Sequence, residues 1–192
     1  MRALVCPGQG SQKKSFLSPW LEIDGVREHL QRLSDAAGID LIHYGTEAEE
    51  ETIKDTAIAQ PLIVAAGIVT GRKVLQKLGE SKLILAGHSV GEITAAALAG
   101  VLTEEDAMRF VRVRATAASP TGMAAVLGGV EQDVRQAIDE AALVAANSNG
   151  AGQIVAAGPL EAIEAFAANP PARTRVIPLK VAGAFHTQAM AP

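Results

Sequence analysis

The stretch "LILAGHSVGEITAAALAG" (residues 83–100) decides the fold. An apolar run of strand length ends at Gly87, a serine stands between two glycines, and an alanine-rich segment follows. That order predicts strand, tight turn and helix. "GHSVG" fits G-x-S-x-G, the nucleophile elbow. Side chains at the flanking positions would collide there, hence Gly87 and Gly91. The turn aims the Ser89 hydroxyl outward and leaves the amide of Val90 at the helix N-terminus. An anion forming on an attacked carbonyl would meet that amide and the positive end of the helix dipole. The alternative is an ordinary strand–loop–helix turn, because the pattern arises by chance in chains rich in alanine and glycine. The flanking strand and helix favour the catalytic reading.

Working outward, the first strand is predicted at Ala3–Cys6 and ends at "PGQGSQ". Residues 17–45 read as helical pieces around the "IDG" and "AGID" breaks. "AQPLIVAAGIVTGRKVLQKLG" reads as a helix with Pro61 in its first turn and Gly79 just past its end. Thr103 caps the helix of "TEEDAMRFVRVRA", with acids in its first turn. The alternation predicts a layered α/β core with parallel strands. Beyond "SPTG" the rhythm becomes βαββαβ, from "MAAVLGG" to "RTRVIPLKV", the ferredoxin-like split unit. The expected architecture is a hydrolase-like parallel-sheet core with helices on both faces, residues 1–120 and 185–192. A ferredoxin-like small domain, residues 121–184, is inserted into it.

Composition narrows the function. The chain has 192 residues, 48% hydrophobic and 20% charged, as in ordinary globular proteins. A net charge of −4 argues against nucleic-acid and anionic-membrane partners. One cysteine, Cys6, excludes an internal disulfide and fits a reducing cytoplasm. No uninterrupted apolar stretch is long enough to span a bilayer, and the N-terminus does not resemble a signal peptide. No metal-ligand spacing stands out.

A serine nucleophile needs a base, and there are four histidines. His29 and His43 lie among helical, partly polar residues and read as surface or satisfied packing positions. His88 is too close in sequence to turn its ring onto its neighbour. His186, in the loop "VAGAFHT", is the favoured base against the plainer reading of a surface loop histidine. No acid follows Glu164, which suits a serine–histidine pair oriented by a backbone carbonyl more than an ordinary esterase triad. Arg114 is placed with Ala107, Phe110 and Val111 on the inward helix face, while Arg109 and Arg112 read as solvated charges. A buried arginine must find an anion, and its fork suits a carboxylate. It could equally snorkel to water. "PGQGSQ" offers amides near Gln9 for a second oxyanion donor but lacks the lysine of a phosphate loop. Asn147, Asn149 and Gln153 of "ANSNGAGQ" could line a cleft, although a turn between strands is the default.

Together these motifs resemble the malonyl-CoA:acyl carrier protein transacylase family and the related acyltransferase domains of polyketide synthases. The match runs through "PGQGSQ", "AQP" at Ala59–Pro61, "GHSVGE", Arg114, "NSNGAGQIVAAG" and "GAFH". The resemblance implies a ping-pong acyl transfer in fatty acid biosynthesis. Ser89, with His186 as base, takes malonyl from malonyl-CoA and passes it to the phosphopantetheine thiol of acyl carrier protein. By the same analogy the amides of Gln9 and Val90 form the oxyanion hole and Arg114 clamps the free carboxylate. Gln60 sits near that cleft, and Asn147 and Asn149 contact substrate. Phe185, just before the histidine, goes with malonyl rather than methylmalonyl units. No permanently bound cofactor is implied, and coenzyme A thioester is substrate.

Two departures stand out. The family commonly has methionine four residues after the arginine, where this chain has Ala118. Family members also continue well past the histidine, whereas this sequence stops at Pro192, so it reads as C-terminally truncated. The rival readings are a serine esterase or thioesterase on the same elbow, and a non-catalytic fragment acting as an interaction module.

Overall fold

A computed structural model of the chain describes residues 2–79, 82–117, 120–150 and 152–191. Ala118, where the family commonly has methionine, Ser119, and Ala151 of the "ANSNGAGQ" stretch lie outside the described residues. The chain divides into two compact units, Met1–Thr116 and Ala117–Pro192. Residues 185–192, which the sequence groups with 1–120, cluster with the second unit.

In the first unit, β1 (Arg2–Cys6) leads through a short 3₁₀ turn into α1 (Val26–Ala37), α2 (Leu41–Thr46) and the long α3 (Thr56–Leu78). Strand β2 (Leu83–Gly87), α4 (Gly91–Leu98) and α5 (Glu104–Thr116) follow. The breaks read from sequence act as caps: Gly25 and Gly38 hold left-handed backbone at the two ends of α1. β1 and β2 pair in parallel, from Arg2 opposite Leu83 to Cys6 opposite Gly87. Around α3 lies a core that includes Leu17, Leu30, Leu33, Leu41, Leu62, Ile68 and Met108, all essentially without solvent exposure. Each such side chain contributes about 2 kcal/mol through burial.

One sequence expectation needs correction here. α3 starts at Thr56, where the carboxylate of Asp55 accepts from Ala57 N at 2.7 Å. Pro61 therefore lies inside the helix and not in its first turn, because an earlier aspartate supplies the cap. α3 also meets the length and hydropathy of a membrane span, with mean hydropathy 1.3, the only described helix that does so. Of that window 61% is buried, as expected of a core helix.

The second unit contains β3 (Thr121–Gly128), α6 (Glu131–Glu140), β4 (Val144–Gly150), β5 (Gln153–Pro159), α7 (Leu160–Ala168) and β6 (Thr174–Leu179). Its four-stranded sheet has the order β4-β5-β3-β6, and every pairing is antiparallel. Alternate residues divide its faces. Ala124, Val126, Ile154 and Ala156 pack with Val134, Ile138, Ile163 and Phe166 of the two helices. Met123, Val155 and Ala157 pack with Ala184 and Phe185 of the closing loop.

Candidate active site

The elbow is built by the end of the parallel ladder. His88 N donates to Cys6 O at 3.0 Å, one step beyond the last paired residues, and the chain then turns sharply. Ser89 has φ 54°, a left-handed conformation that is costly for a residue with a Cβ. The glycines are required by contact. A Cβ on Gly87 would lie 2.2 Å from Gly91 C and O, and one on Gly91 would lie 2.3 Å from Cys6 O. Val90 is buried and forms the N-cap of α4, so its amide stands at the positive end of that helix. The ring of His88 faces the backbone of Gly8, where a Cβ would come within 2.7 Å of its Nδ1.

Arg114 reaches this elbow. Its Nη2 donates to Ser89 Oγ at 3.3 Å and its Nη1 to Gln60 Oε1 at 2.6 Å. Gln60, 2% exposed, turns its amide nitrogen to Gln9 Oε1 at 3.2 Å, and Gln9 Nε2 donates to Thr56 Oγ1 at 3.2 Å. A chain of neutral amides thus fixes the rotamer of a cationic fork beside the serine. Burial pushes the Arg114 guanidinium down from its usual value, the charge of Glu92 acts the other way, and the group stays protonated. The loop carrying Gln9 is braced as well: Ser11 Oγ donates to Gly8 O at 2.9 Å and Gln12 Nε2 to Ile53 O at 3.0 Å.

The inward face of α5 is phased differently from the sequence expectation. Its buried residues are Ala107, Met108, Val111 and Ala115, whereas Phe110 is 55% exposed. α5 packs against both α1 and α3, so its buried face is centred further round the helix and Arg114 sits at its edge. Arg112 is not a solvated charge: it is half-buried and its Nη1 donates to Ala57 O at 2.8 Å.

His29 contacts Glu104 at 2.5 Å, and Glu104 also accepts from Arg72 Nε at 2.7 Å, tying α1, α3 and α5 together. Burial alone would raise the Glu104 carboxyl, but hydrogen bonds and charge from Arg72 and His29 hold it below the usual carboxylate range. His43 is exposed and contacts Glu47 at 3.3 Å.

The remaining candidates belong to the second unit. Phe185 is 6% exposed within its sheet-face cluster, and the exposed His186 has φ 66°. Asn147 and Asn149 are not in a turn; both lie on β4, whose register against β5 shifts beside each of them. Asn149 Nδ2 donates to Gln153 Oε1 at 3.3 Å. Bulged strand, with its extra residues, is hard to tell from a turn by composition. No group of three or more His, Cys, Asp or Glu suited to a metal ion exists among the described residues.

Sequence reasoning missed the direct Arg114–Ser89 contact, the brace from Gln12 and the role of Thr56. The signal for Gln60 was present: a glutamine inside the apolar run "AQPLIV" is buried and must be satisfied.

A strained serine on a strand-to-helix elbow, with a cationic fork at its oxygen, defines a class: proteins built for nucleophilic chemistry on acyl groups. The family profile described as acyl transferase domain matches residues 3–192, and the chain belongs to that family. It is 50% identical over 200 residues to the malonyl CoA-acyl carrier protein transacylase of Mycobacterium tuberculosis (strain H37Rv), covering 100% of this chain and 66% of the relative. A crystal structure of the Mycobacterium tuberculosis MCAT superposes with TM-score 0.93 at 50% identity, over 100% of this chain and 66% of that one. A malonyl-transacylase solved with its type II PKS acyl-carrier protein gives TM-score 0.85 at 30% identity, over 98% and 66%. The chain thus has the mixed α/β fold of these structures and spans just under two thirds of their length.

Proposed function

We propose that this protein transfers a malonyl group from malonyl-CoA to the phosphopantetheine thiol of acyl carrier protein, through an ester on Ser89, in fatty acid biosynthesis. The observation that carries this reading is the guanidinium of Arg114, oriented by Gln60 and hydrogen-bonded to Ser89 Oγ. A malonyl ester on Ser89 ends in a carboxylate two carbons from its carbonyl. A fixed cationic fork next to the serine suits that group and has no purpose for a simple acyl chain.

The steps proposed are those that the resemblance to malonyl transacylases implies for these residues. His186 takes the Ser89 proton as the oxygen attacks the thioester carbonyl. The amides of Gln9 and Val90 receive the charge on the carbonyl oxygen, and the helix dipole of α4 adds to them. The tetrahedral adduct collapses, and coenzyme A leaves with the proton from His186. The carrier thiol, deprotonated by the same histidine, then attacks the ester and frees Ser89. Arg114 holds the carboxylate throughout, and Phe185, by the family resemblance, goes with malonyl rather than bulkier units. Asn147 and Asn149 are assigned to substrate binding by the same resemblance. No permanently bound cofactor takes part, and the reaction belongs to the cytoplasm.

The domain reading belongs to the same proposal: residues 1–120 form a hydrolase-like core and 121–184 a ferredoxin-like domain, while 185–192, grouped with the core from sequence, cluster in this chain with the second unit. The parallel β1–β2 pair leading into the elbow and the β4-β5-β3-β6 order support it.

The test follows the fate of the acyl group. Labelled malonyl-CoA is mixed with the protein, with and without acyl carrier protein bearing its phosphopantetheine. Label moving to the carrier, with little free malonate, is the expected result. Free malonate at the same rate with or without the carrier would make the protein a thioesterase instead.

A further inference from the structure

Proline inside a helix leaves a gap. It has no N–H, so the carbonyl four residues earlier loses its helical partner. In α3 the proline is Pro61 and that carbonyl belongs to Ala57. Arg112 fills the gap from the neighbouring helix, its Nη1 donating to Ala57 O at 2.8 Å. Three residues further along α3, Gln60 receives Nη1 of Arg114 at 2.6 Å. Arg112 and Arg114 are separated by about 200° around α5 at roughly 100° per residue. They therefore reach α3 from opposite edges of the α5 face formed by Ala107, Met108, Val111 and Ala115. One bond alone would let α5 roll against α3. Two bonds on opposite edges oppose rolling in both directions, and any roll would swing the Arg114 fork away from Ser89 Oγ, 3.3 Å distant.

We propose that Arg112 is a positioning residue: by supplying the donor that Pro61 withholds from Ala57 O, it fixes α5 against α3 and so holds Arg114 at the reactive serine. This rests on the reading of Arg114 as the clamp for the malonyl carboxylate. The charge of Arg112 serves here as a hydrogen-bond donor to a backbone carbonyl, so it touches neither substrate nor Ser89.

The experiment uses the full chain, R112A, R112K, P61A and the P61A/R112A double variant. It reads KM and kcat for malonyl-CoA and acetyl-CoA, with the thermal midpoint of each protein. A charge-assisted bond is lost in R112A, so KM for malonyl-CoA rises about tenfold, with kcat for acetyl-CoA unchanged. R112K, which keeps a charged donor nitrogen, recovers most of the loss. P61A returns an N–H to the helix, so adding R112A to it costs less than about threefold, far below the loss in the wild-type background.

Equal loss for both thioesters in R112A, tracking a lower thermal midpoint, would reduce Arg112 to a structural role and overturn the proposal. So would an undiminished loss in the P61A background, which would show that the proline gap is not what Arg112 serves. If the unmodified protein showed no preference for malonyl-CoA, the clamp itself would be wrong and this inference would fall with it.

Discussion

Replacing Arg114 with alanine removes the fork from beside Ser89 while leaving the elbow, Gln60 and the helix dipole in place. The guanidinium is half-buried and preset by Gln60, so it offers a carboxylate two charge-assisted bonds without having to be reoriented. Bonds to charged groups contribute about 1.5–3 kcal/mol each and are not additive, so about 3 kcal/mol is expected for the pair. That corresponds to a fall of about 150-fold in kcat/KM for malonyl-CoA. Acetyl-CoA has no carboxylate, and its kcat/KM should move by less than about threefold. R114K keeps the charge and loses the fork, and should fall between the two. The assay is the ratio of kcat/KM values for the two thioesters in all three proteins. A ratio unchanged in R114A, with both substrates slowed alike, would refute the clamp and leave Arg114 as a support for the serine.

Other perturbations probe the frame around the site. Adding a methyl at Gly91 brings it to 2.3 Å from Cys6 O, so G91A should unfold the elbow and lower the thermal midpoint, whereas G100A has open space around it and only the modest cost of its left-handed φ of 76°. F185S removes a buried ring from the Met123–Val155–Ala157 cluster and should cost about 3 kcal/mol in denaturant unfolding. If Phe185 also limits the acyl pocket, the same variant should accept methylmalonyl-CoA better relative to malonyl-CoA. E104Q should lose about 2 kcal/mol near neutral pH by weakening the bonds to Arg72 and His29. Because the folded Glu104 carboxyl is held low, that stabilisation is complete above the ordinary carboxylate range and disappears as pH falls through the folded value. The stability difference between wild type and E104Q should therefore shrink on acidification, and a difference constant with pH would exclude the carboxylate as its source.

The elbow was legible because its chemistry is local: two glycines that backbone contact requires, a strand before them and a helix after. The strands and helices of the second unit were legible for the same reason, as short apolar runs alternating with longer helical stretches. What sequence could not place was phase and partnership between helices. Phe110 looked inward because its spacing from Ala107 and Arg114 fits one face, yet α5 shares that face between α1 and α3 and turns Phe110 outward. Arg112 looked solvated because nothing local reveals that Pro61 lies inside a helix. Asp55, six residues before Pro61 and outside the motif that drew the eye to it, was the cap that shows where α3 begins. A turn was the default for Asn147 and Asn149, which lie on β4, because a bulged strand and a turn share the same polar composition.

The central claim is that Ser89 carries the malonyl group. Intact-mass measurement of the protein after brief exposure to malonyl-CoA tests it most directly, with S89A alongside. The account predicts one added malonyl group, located to the peptide containing Ser89, absent from S89A and removed when acyl carrier protein is supplied. An adduct that persists in S89A, or none on a folded wild-type protein, would contradict it.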